Sequence, residues 1–494
     1  MQQVNFTAED IHEYLTPSKC ERRPFLRSNA MPESPPDEFA QLLMRLGKAH
    51  ESAHLMTLGP YFDCRAVGNI ERQRRTQLGI EAREPIIYQP YFSVANVPSL
   101  NNYSVSGICD FLILRPEGYV LRDAKLSKNI NRKDHPEIYA QMSLYGWLFE
   151  KMFGFEPYKL EVLNGKNEII SIVYDNGAEA MTQLTEILSY ISMKEEPYTP
   201  VGQSKCGPCG YHKRCWTTAI EKSDVGIVYG LNLSMGRVLH SQGVDTLNQL
   251  VDKFTVEQLA SVKVPHGTSF RKIGKSAETI ISHARALLTR SSTLIGNLAL
   301  PPSKNYVMFD LEGLPPFADH LEKIYLWGMQ VYGETVFPYR PALAGFGVDG
   351  DKEGWTQFLR IAANILEDHG PIPFIHWANY EKVKIKLYQD RFGDPDGIAG
   401  KVLAQCVDLK TIVTAAIVLP THGYGLKELE KQAGFKRTMD EFGGAWSIAR
   451  YIEACETNDQ QLRTEVMDKV IKYNEEDLAA TWAVMNWVRA FHNK

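Results

Sequence analysis

The segment Gly107–Lys128, GICDFLILRPEGYVLRDAKLSK, places the strongest restriction on the fold of this chain. Its two apolar runs are separated by the turn residues Arg115–Gly118, a pattern that predicts a β-hairpin. Side chains alternate between the two faces of a strand, so Asp123 and Lys125 should project from the same side. Asp110, at the start of the first strand, is placed to converge on them. The chain is therefore expected to build a sheet edge with two carboxylates and one ammonium group.

Such a group of charges has two interpretations. It is a binding site for a divalent metal, a water molecule and a phosphate, or it is the ordinary solvated charge of a surface hairpin. The hairpin by itself favours the second interpretation, because charge triplets of this kind are common. The choice between the two depends on motifs elsewhere in the chain.

Length and net charge restrict the number of domains and the kinds of partner that the chain can have. A chain of 494 residues exceeds a single hydrophobic core and predicts about two to four domains. The net charge of −5 excludes an overall basic coat but is compatible with a local basic groove beside acidic sites. We find neither a signal-peptide pattern nor an apolar run of membrane-spanning length, so the expected location is the cytoplasm. In that compartment the eight cysteines should be thiols or metal ligands.

Three cysteines, Cys206, Cys209 and Cys215, follow the spacing C-x2-C-x5-C with glycine and proline between them. This spacing predicts a tight loop that holds a metal, and a chance cluster is the weaker interpretation. The fourth ligand is open. His212 would complete a zinc site, whereas Cys20 would complete a four-cysteine iron–sulfur site. The other four cysteines have no partner at such a spacing and are predicted to be buried thiols: Cys64, Cys109, Cys406 and Cys455.

Helical patterns precede and follow the hairpin. A capping box at Thr7–Asp10 predicts the start of a first helix. Apolar residues at helical spacing predict a second helix from Glu38 to Leu58, which carries His50 and His54. A third helix is predicted from Asp134 to Phe153, after the hairpin.

Taken together, the first 220 residues resemble the RecB-like branch of the PD-(D/E)XK nucleases, the branch of AddB and the CRISPR adaptation exonuclease. The motifs that carry the resemblance occur in order along the chain. They are Gly47-x-x-His50, Asp110 after a glycine, Asp123-x-Lys125 and Gln141-x-x-x-Tyr145, with one cysteine upstream and three downstream. In this order the motifs favour a nuclease site over a solvated hairpin.

The resemblance implies a role for each of these residues. His50, Asp110 and Asp123 would hold one or two Mg²⁺ or Mn²⁺ ions. Lys125 would position the attacking water, and Gln141 and Tyr145 would orient Lys125 or the DNA backbone. His54 is interpreted as structural. The four cysteines Cys20, Cys206, Cys209 and Cys215, here called the cysteine frame, would be the ligands of a [4Fe–4S] cluster with a chiefly structural role. In the alternative, His212 would complete a zinc site with the three downstream cysteines.

Residues 223–295 show a helix, a Gly-Val turn at 243–244 and another helix, with a second glycine turn near Gly274. This pattern resembles helix-hairpin-helix units, whose glycine turn offers backbone N–H groups to nucleic-acid phosphates. A helical linker domain without a ligand fits the same pattern.

The last part of the chain has the alternation of strands and helices that predicts an α/β domain. A buried-type strand at Tyr306–Phe309 runs into Asp310-Leu-Glu312. Two more strands are predicted at 324–332 and 373–377. A long helix from about Thr464 to Phe491 closes the domain and carries Tyr473 and Asp477 on one face.

The last 190 residues resemble the ribonuclease H-like 3′→5′ exonucleases of the DEDD type. The resemblance implies two metal ions held by Asp310, Glu312, Asp477 and Glu381, with Tyr473 orienting the water. Glu381 stands in HWANYEK, where the family usually has an aspartate. Three further residues are secondary candidates: Asp408 as a reserve ligand, and His376 and Asn379, which either touch the substrate or cap the strand–helix turn.

The predicted architecture is an α/β multidomain chain. A PD-(D/E)XK core with a cysteine frame occupies residues 1–222, a small helix-hairpin-helix-like domain 223–295, and a ribonuclease H-like domain 300–494. The predicted function is a metal-dependent DNA nuclease or exonuclease with two active sites, acting on single strands or ends. The implied partners are DNA and a helicase or other repair or defence proteins. The alternatives are a nucleic-acid-binding adaptor with one degenerate site and an RNA-trimming exonuclease.

Overall fold

The computed structural model divides the chain into two compact units, Met1–Glu221 and Lys222–Lys494. The predicted border between the helical module and the last domain falls inside the second unit and stays a prediction. No helix of the described part is both long and apolar enough to cross a bilayer. The structure describes residues 5–202, 204–267, 269–315, 322–347, 350–440 and 443–492.

The first unit mixes helices with two sheets. Its helices are α1 (Ala8–Leu15), α2 (Arg22–Ser28), α3 (Glu38–Leu58), α4 (Asn69–Glu81), α5 (Pro136–Phe153), α6 (Ala178–Ile191) and α7 (His212–Glu221). Its strands are β1 (Asn5–Thr7), β2 (Phe62–Asp63), β3 (Ile86–Tyr88), β4 (Tyr91–Val97), β5 (Tyr103–Ile108), β6 (Phe111–Arg115), β7 (Gly118–Ala124), β8 (Lys159–Leu163) and β9 (Ile169–Ile172).

The predicted hairpin forms the centre of a six-stranded sheet with the order β2-β3-β6-β7-β8-β9. Strands β6 and β7 pair antiparallel, and the register ends at Arg115 opposite Gly118, so two residues close the turn. The predicted capping box at Thr7 and Asp10 also forms, at the start of α1. These elements confirm the local predictions for the first unit.

Helix α5 packs between this sheet and the small sheet β1-β5-β4, and most of its residues are buried. It approaches strand β5 most closely at Gly107. A Cβ atom at Gly107 would lie 2.7 Å from the Tyr145 ring, closer than real Cβ atoms come to other heavy atoms. The absence of a side chain at Gly107 therefore lets Tyr145 reach the sheet beside the hairpin.

The second unit contains the remaining elements. Its helices are α8 (Leu233–Ser241), α9 (Leu247–Lys253), α10 (Val256–Ser261), α11 (Ser276–Thr289), α12 (Gly350–His369), α13 (Tyr380–Phe392), α14 (Ile398–Gln405), α15 (Leu409–Ala416), α16 (Leu426–Gln432), α17 (Gly444–Glu456) and α18 (Gln460–His492). Its strands are β10 (Lys263–His266), β11 (Ser269–Lys272), β12 (Thr293–Leu294), β13 (Asn305–Gly313), β14 (Ile324–Gly333), β15 (Arg340–Leu343), β16 (Phe374–His376), β17 (Cys406–Asp408) and β18 (Ile417–Val418).

Five of these strands form one mixed sheet with the order β15-β14-β13-β16-β17. Strand β13 pairs antiparallel with β14 and parallel with β16. One face of the sheet is packed by aromatic rings, with Trp327 4.6 Å from Phe358 between ring centroids. The sheet and the long helix α18 confirm the α/β prediction.

The segment predicted to be a small helical module contains four helices, α8 to α11, and also a short β-hairpin, β10–β11, that was not predicted. The first glycine turn forms as expected between α8 and α9, with Gly243 at a φ of 73°. Gly274, however, follows strand β11 instead of a helix. The local cause is the sequence KVPHGTSFRK, in which Pro265 disfavours a helix interior and Gly267 permits the left-handed turn.

Candidate functional site

The hairpin of the first unit brings Asp110, Asp123 and Lys125 together. The Lys125 Nζ atom lies 2.7 Å from Asp123 Oδ2. The backbone N–H of Ala124 donates to Asp110 Oδ2 at 2.8 Å, and that of Asp110 donates to Asp123 Oδ1 at 3.3 Å. The two carboxylates therefore converge at the point where β6 begins and β7 ends.

Burial makes it costly to ionise both carboxylates of this cluster when no metal cation is bound. It raises the pKa of Asp110 well above its ordinary value, and the charges of Asp123 and Glu51 raise it further. Burial alone would lower the pKa of Lys125, but Asp123 and Asp110 outweigh that effect, so the pKa is raised. A divalent cation would relieve the repulsion between the carboxylates, so the donor set fits a metal.

Helix α3 carries two candidates to complete this set, of which Glu51 is close enough for its charge to act on Asp110. Among the described residues, His50 does not gather with Asp110 and Asp123 as closely as the ligands of a metal ion do. The Nε2 atom of His50 is shielded from solvent and has no hydrogen-bond partner among the described residues, which fits a metal ligand. Glu51, which the sequence analysis missed, is buried and accepts a hydrogen bond from Tyr88 at 2.6 Å. Its position four residues before the buried Leu55 was the one available signal that it faces inward.

Gln141 and Tyr145 share a face of α5, as predicted from their spacing. The Gln141 Nε2 atom donates a hydrogen bond to the Tyr145 hydroxyl at 2.7 Å. Burial raises the pKa of Tyr145 well above its ordinary value, so the phenol stays neutral. Together with Lys125 and His12, both residues line a cleft of about 520 Å³. A molecule bound in this cleft would therefore meet the side chains of Lys125, Gln141 and Tyr145.

The second unit gathers a separate group of carboxylates. Asp310, Glu312 and Asp477 each offer one oxygen atom within 4.8 Å of the others, as the ligands of a metal ion do. Asp310 and Glu312 lie two residues apart on strand β13, so they share one face, and Asp477 comes from helix α18. Asn474, one turn before Asp477, donates a hydrogen bond to Asp310 Oδ2 at 2.7 Å. The sequence analysis missed Asn474.

Burial raises the pKa of all three carboxylates. It raises that of Glu312 to about 8, with the charge of Asp477 as the next cause. The pKa of Asp310 is raised well above its ordinary value for the same reasons. For Asp477 burial outweighs the opposing effect of Arg437. Such a cluster retains protons at neutral pH until a cation replaces them, so these residues also fit a metal.

The family comparisons agree with this geometry. Residues 10–216 match the family model of the PD-(D/E)XK nuclease superfamily, and residues 307–489 match that of the RNase H superfamily. The chain joins a PD-(D/E)XK nuclease domain to a ribonuclease H-like domain. No curated protein is similar to the chain at a significant level. The crystal structure of SSO0001 aligns with 40% of this chain and 79% of its own, at 13% identity and a TM-score of 0.20, too low to bear on the fold.

His54, in the PD-(D/E)XK domain, has contacts that explain why its imidazole ring stays neutral. Its Nε2 atom lies 3.1 Å from a guanidinium nitrogen of Arg122, and its ring meets Phe111 edge-on. Burial first, and the Arg122 charge second, lower the pKa of His54 to about 4. A neutral, packed imidazole agrees with the structural interpretation of this residue.

The four frame cysteines of the PD-(D/E)XK domain are neighbours, since the charges of Cys20 and Cys215 act on both Cys206 and Cys209. They do not converge as the acidic group does among the described residues. A tetrahedral zinc would draw the sulfur atoms to about 3.8 Å from one another. The ring of the alternative ligand, His212, packs against Trp216 instead. The four thiols are thus near one another, and the identity of the group they hold stays a prediction.

The remaining cysteines only partly follow their prediction. Cys64 and Cys109 are buried, and burial raises the pKa of both thiols. Cys406 is half-buried and Cys455 is exposed, so the prediction of buried thiols was wrong for these two. Cys406 lies on the outermost strand β17, and Cys455 lies near the end of α17, where side chains have fewer neighbours.

In the ribonuclease H-like domain, Glu381 is separate from the three gathered carboxylates. It is buried and its Oε2 atom lies 3.3 Å from His376 Nδ1. It is still close enough to raise the pKa of Asp310. Asp408 caps helix α15 by accepting from Thr411, a structural role. Asn379 precedes α13, but its side chain makes no capping hydrogen bond.

Tyr473 and Arg437 flank Asp477 in the same domain. Tyr473 forms a side-chain hydrogen bond with Asp477, and burial raises the pKa of its phenol. The Arg437 guanidinium, which the sequence analysis missed, donates to Asp477 and forms a fork with Glu430 at 2.9 and 2.7 Å. Lys427 lies 5.9 Å from the Tyr473 ring centre. Two cations therefore border the acidic group.

Proposed function

We propose that the chain is a metal-dependent DNA nuclease with two active sites, one in each unit, acting on single strands or ends. One observation carries the proposal: each nuclease-superfamily domain holds its own buried group of carboxylates, each with a tyrosine and a cation beside it. Bound Mg²⁺ or Mn²⁺ would lower the pKa of a water molecule and stabilise charge on the scissile phosphate. The chain's own residues would bind the metal, orient the water and the substrate, and neutralise charge on the phosphate.

In the PD-(D/E)XK domain, Asp110, Asp123 and His50 would hold the metal. Lys125 keeps its proton, since the nearby carboxylates raise its pKa, and an ammonium group is suited to pair with a phosphate oxygen. The Gln141–Tyr145 pair borders the same cleft and would hold the sugar-phosphate backbone in register.

In the ribonuclease H-like domain, Asp310, Glu312 and Asp477 would hold the metal. Tyr473 is a neutral phenol next to Asp477, in reach to orient the attacking water by its hydroxyl. Glu381 would join as a fourth ligand by leaving His376, which requires the carboxylate to move. The 3′→5′ polarity of this domain rests on its family resemblance and belongs to the proposal.

The decisive experiment uses two single variants, Asp123→Asn and Asp310→Asn, with Asp390→Asn at an exposed position of α13 as a matched control. End-labelled single-stranded DNA, duplex DNA and RNA are incubated with each protein and Mg²⁺ or Mn²⁺. We expect each site variant to lose one cleavage pattern and the control to lose none. A double variant with wild-type activity would mean a contaminating nuclease, and an inert wild-type protein would refute the proposal.

A nucleic-acid-binding adaptor is the second candidate function. The ion pair of Arg437 with Asp477 and the pairing of Glu381 with His376 favour it, because both occupy groups that a two-metal site would need. The adaptor predicts salt-sensitive binding of DNA without turnover by the second site. The RNA arm of the cleavage assay tests the third possibility, an RNA-trimming exonuclease.

For the cysteine frame we propose a structural [4Fe–4S] cluster. The mutual proximity of the four thiols supports it. Such a cluster would tie Cys20 near the N-terminus to the three cysteines near the end of the same domain. Protein purified without oxygen should be brown, and Cys206→Ala should lose the colour while Cys64→Ala keeps it. Bound zinc and a colourless protein would refute the cluster.

A further inference from the structure

We infer that the hairpin β10–β11 is a binding surface for single-stranded nucleic acid, built from other residues than the two carboxylate groups. The inference rests on the proposed function, in that nucleic acid is the substrate. The segment 263–275 contains four lysine or arginine residues and no acidic residue, in a chain whose net charge is −5. The four are Lys263, Arg271, Lys272 and Lys275.

The register of the hairpin decides which side chains face outward. Residues directly opposite each other in an antiparallel pair share a face, and successive pairs alternate. Val264 is only 1% exposed, so the face with Val264 turns toward the protein. The neighbouring pairs, Lys263 with Lys272 and Pro265 with Phe270, therefore lie on the outward face.

This outward face has features that folding alone does not explain. The Phe270 side chain is 70% exposed, although burial of a phenylalanine normally stabilises a protein. Lys263 and Lys272 stand directly opposite each other, and like charges in that arrangement destabilise a sheet. No ion pair or ring contact involves Lys263, Phe270 or Lys272 within the described residues. The combination is unfavourable for the isolated hairpin.

A single strand of nucleic acid would satisfy all of these groups. Its phosphates carry the negative charge that the lysine pair lacks, and an unpaired base offers a flat face to the Phe270 ring. Base–aromatic stacking with a basic border is the common way in which proteins hold single strands without reading their sequence. A base pair within a continuous duplex would not expose that face. The surface would thus retain a strand while an active site shortens it.

Fluorescence anisotropy tests the surface with the full chain and a labelled mixed-sequence DNA strand of about 20 nucleotides, with EDTA present to prevent cleavage. We expect Phe270→Ala to bind about tenfold more weakly, Phe270→Leu nearly as weakly, and Phe270→Trp like the wild type. Because Phe270 is exposed, these changes should leave the fold intact, which circular dichroism checks.

The charge contribution is tested by salt titration. The double variant Lys263→Gln, Lys272→Gln should reduce the slope of log K against log salt by about 0.7 for each lost phosphate contact. The control removes two exposed lysines elsewhere, Lys352→Gln and Lys401→Gln, and should leave the slope unchanged.

The outcomes separate this inference from the proposed function. Unchanged binding by Phe270→Ala, or equal losses in the two lysine double variants, would overturn the surface. Stronger binding to blunt duplex than to single strands would overturn it as well. Weaker binding by Phe270→Ala in a chain that cleaves no nucleic acid would support the surface and refute the nuclease proposal.

Discussion

Arg437 forms an ion pair with Asp477, one of the three carboxylates that gather in the ribonuclease H-like domain. The same guanidinium is held by both oxygens of Glu430, and its side chain is only 4% exposed. The next residue, Thr438, donates from its backbone to Glu476, the neighbour of Asp477. Two consecutive loop residues thus form polar contacts with two consecutive residues of α18, and these contacts fix the position of Arg437.

We predict that Arg437→Met separates a structural from a functional effect. The single variant leaves Glu430 buried without its counter-charge and should lower the free energy of unfolding by about 3–5 kcal/mol. Adding Glu430→Leu removes the orphaned charge and should restore most of that loss. Thermal unfolding measures both effects. If Arg437 orients Asp477, the double variant stays deficient in cleavage by the second site; restored cleavage would limit Arg437 to a structural role.

The difference between predicted and missed site residues has a physical basis. Asp110, Asp123 and Lys125 follow from the alternation of one hairpin, and Tyr473 and Asp477 follow from helical spacing, both of which are local patterns. Arg437 lies in the loop after α16, and only tertiary packing brings it to α18. No spacing rule connects residues that are distant in sequence and meet through loops.

The pH dependence of stability is the second prediction. Burial raises the pKa of Glu312 from 4.5 to about 8, so between these values the folded protein holds a proton that the unfolded chain has released. The free energy of unfolding of the metal-free protein should therefore fall as pH rises through this window, by on the order of a few kcal/mol. Asp310 shifts in the same direction.

Thermal unfolding of metal-free protein between about pH 5 and pH 8.5 measures this effect. Glu312→Gln cannot release the proton and should flatten the dependence. Mn²⁺ requires the deprotonated carboxylates, so its binding should tighten and release protons over the same range. A melting temperature of the second unit that rises with pH in the wild type would contradict the assigned direction of the shift.

The third prediction concerns Gly328, which stands opposite Asp310 in the β13–β14 register. A Cβ atom there would come within 1.7 Å of Asn474 Oδ1, so Gly328→Ala must displace Asn474 from Asp310. We expect the affinity of the second site for Mn²⁺ to fall about tenfold, the usual effect of losing a residue that orients a ligand. Gly425→Ala, where a Cβ atom has no neighbour within 4 Å, is the matched control.

Isothermal titration with Mn²⁺, in an Asp123→Asn background that silences the first site, measures the Gly328→Ala effect. Asn474→Ala should reproduce the loss without crowding the sheet. If Gly328→Ala weakened binding but Asn474→Ala did not, the loss would come from distortion of β14, and the orienting role of Asn474 would be wrong.

The hairpin β10–β11 and Glu51 mark the limits of local patterns in a different way. The hairpin is short and has one buried residue, Val264, so its apolar pattern was too weak to outweigh the helical signals around it. Glu51 directly follows His50 in the G-x-x-H motif, but an acid on a helix is normally solvent-exposed. Its spacing of four residues from Leu55 was a weak signal, and the packing of α3 against the sheet shows that Glu51 faces inward.

The last prediction asks which neighbour on α3 binds the metal of the PD-(D/E)XK domain. Loss of a ligand usually costs more than loss of a nearby charge, so His50→Ala should weaken Mn²⁺ binding by roughly tenfold or more. Glu51→Gln should weaken it less and also lower the pKa of Asp110, because the Glu51 charge contributes to raising that pKa. His54→Ala is the control, since its ring contacts Arg122 and Phe111.

Titration with Mn²⁺ in an Asp310→Asn background isolates this first site. The pH profile of binding by Glu51→Gln should shift toward lower pH, whereas His50→Ala should reduce the affinity without lowering the pKa of Asp110. A larger loss in Glu51→Gln than in His50→Ala would make the carboxylate the ligand and the orphaned Nε2 atom of His50 a packing feature. The two variants thus assign the ligand by the chemistry that each removes.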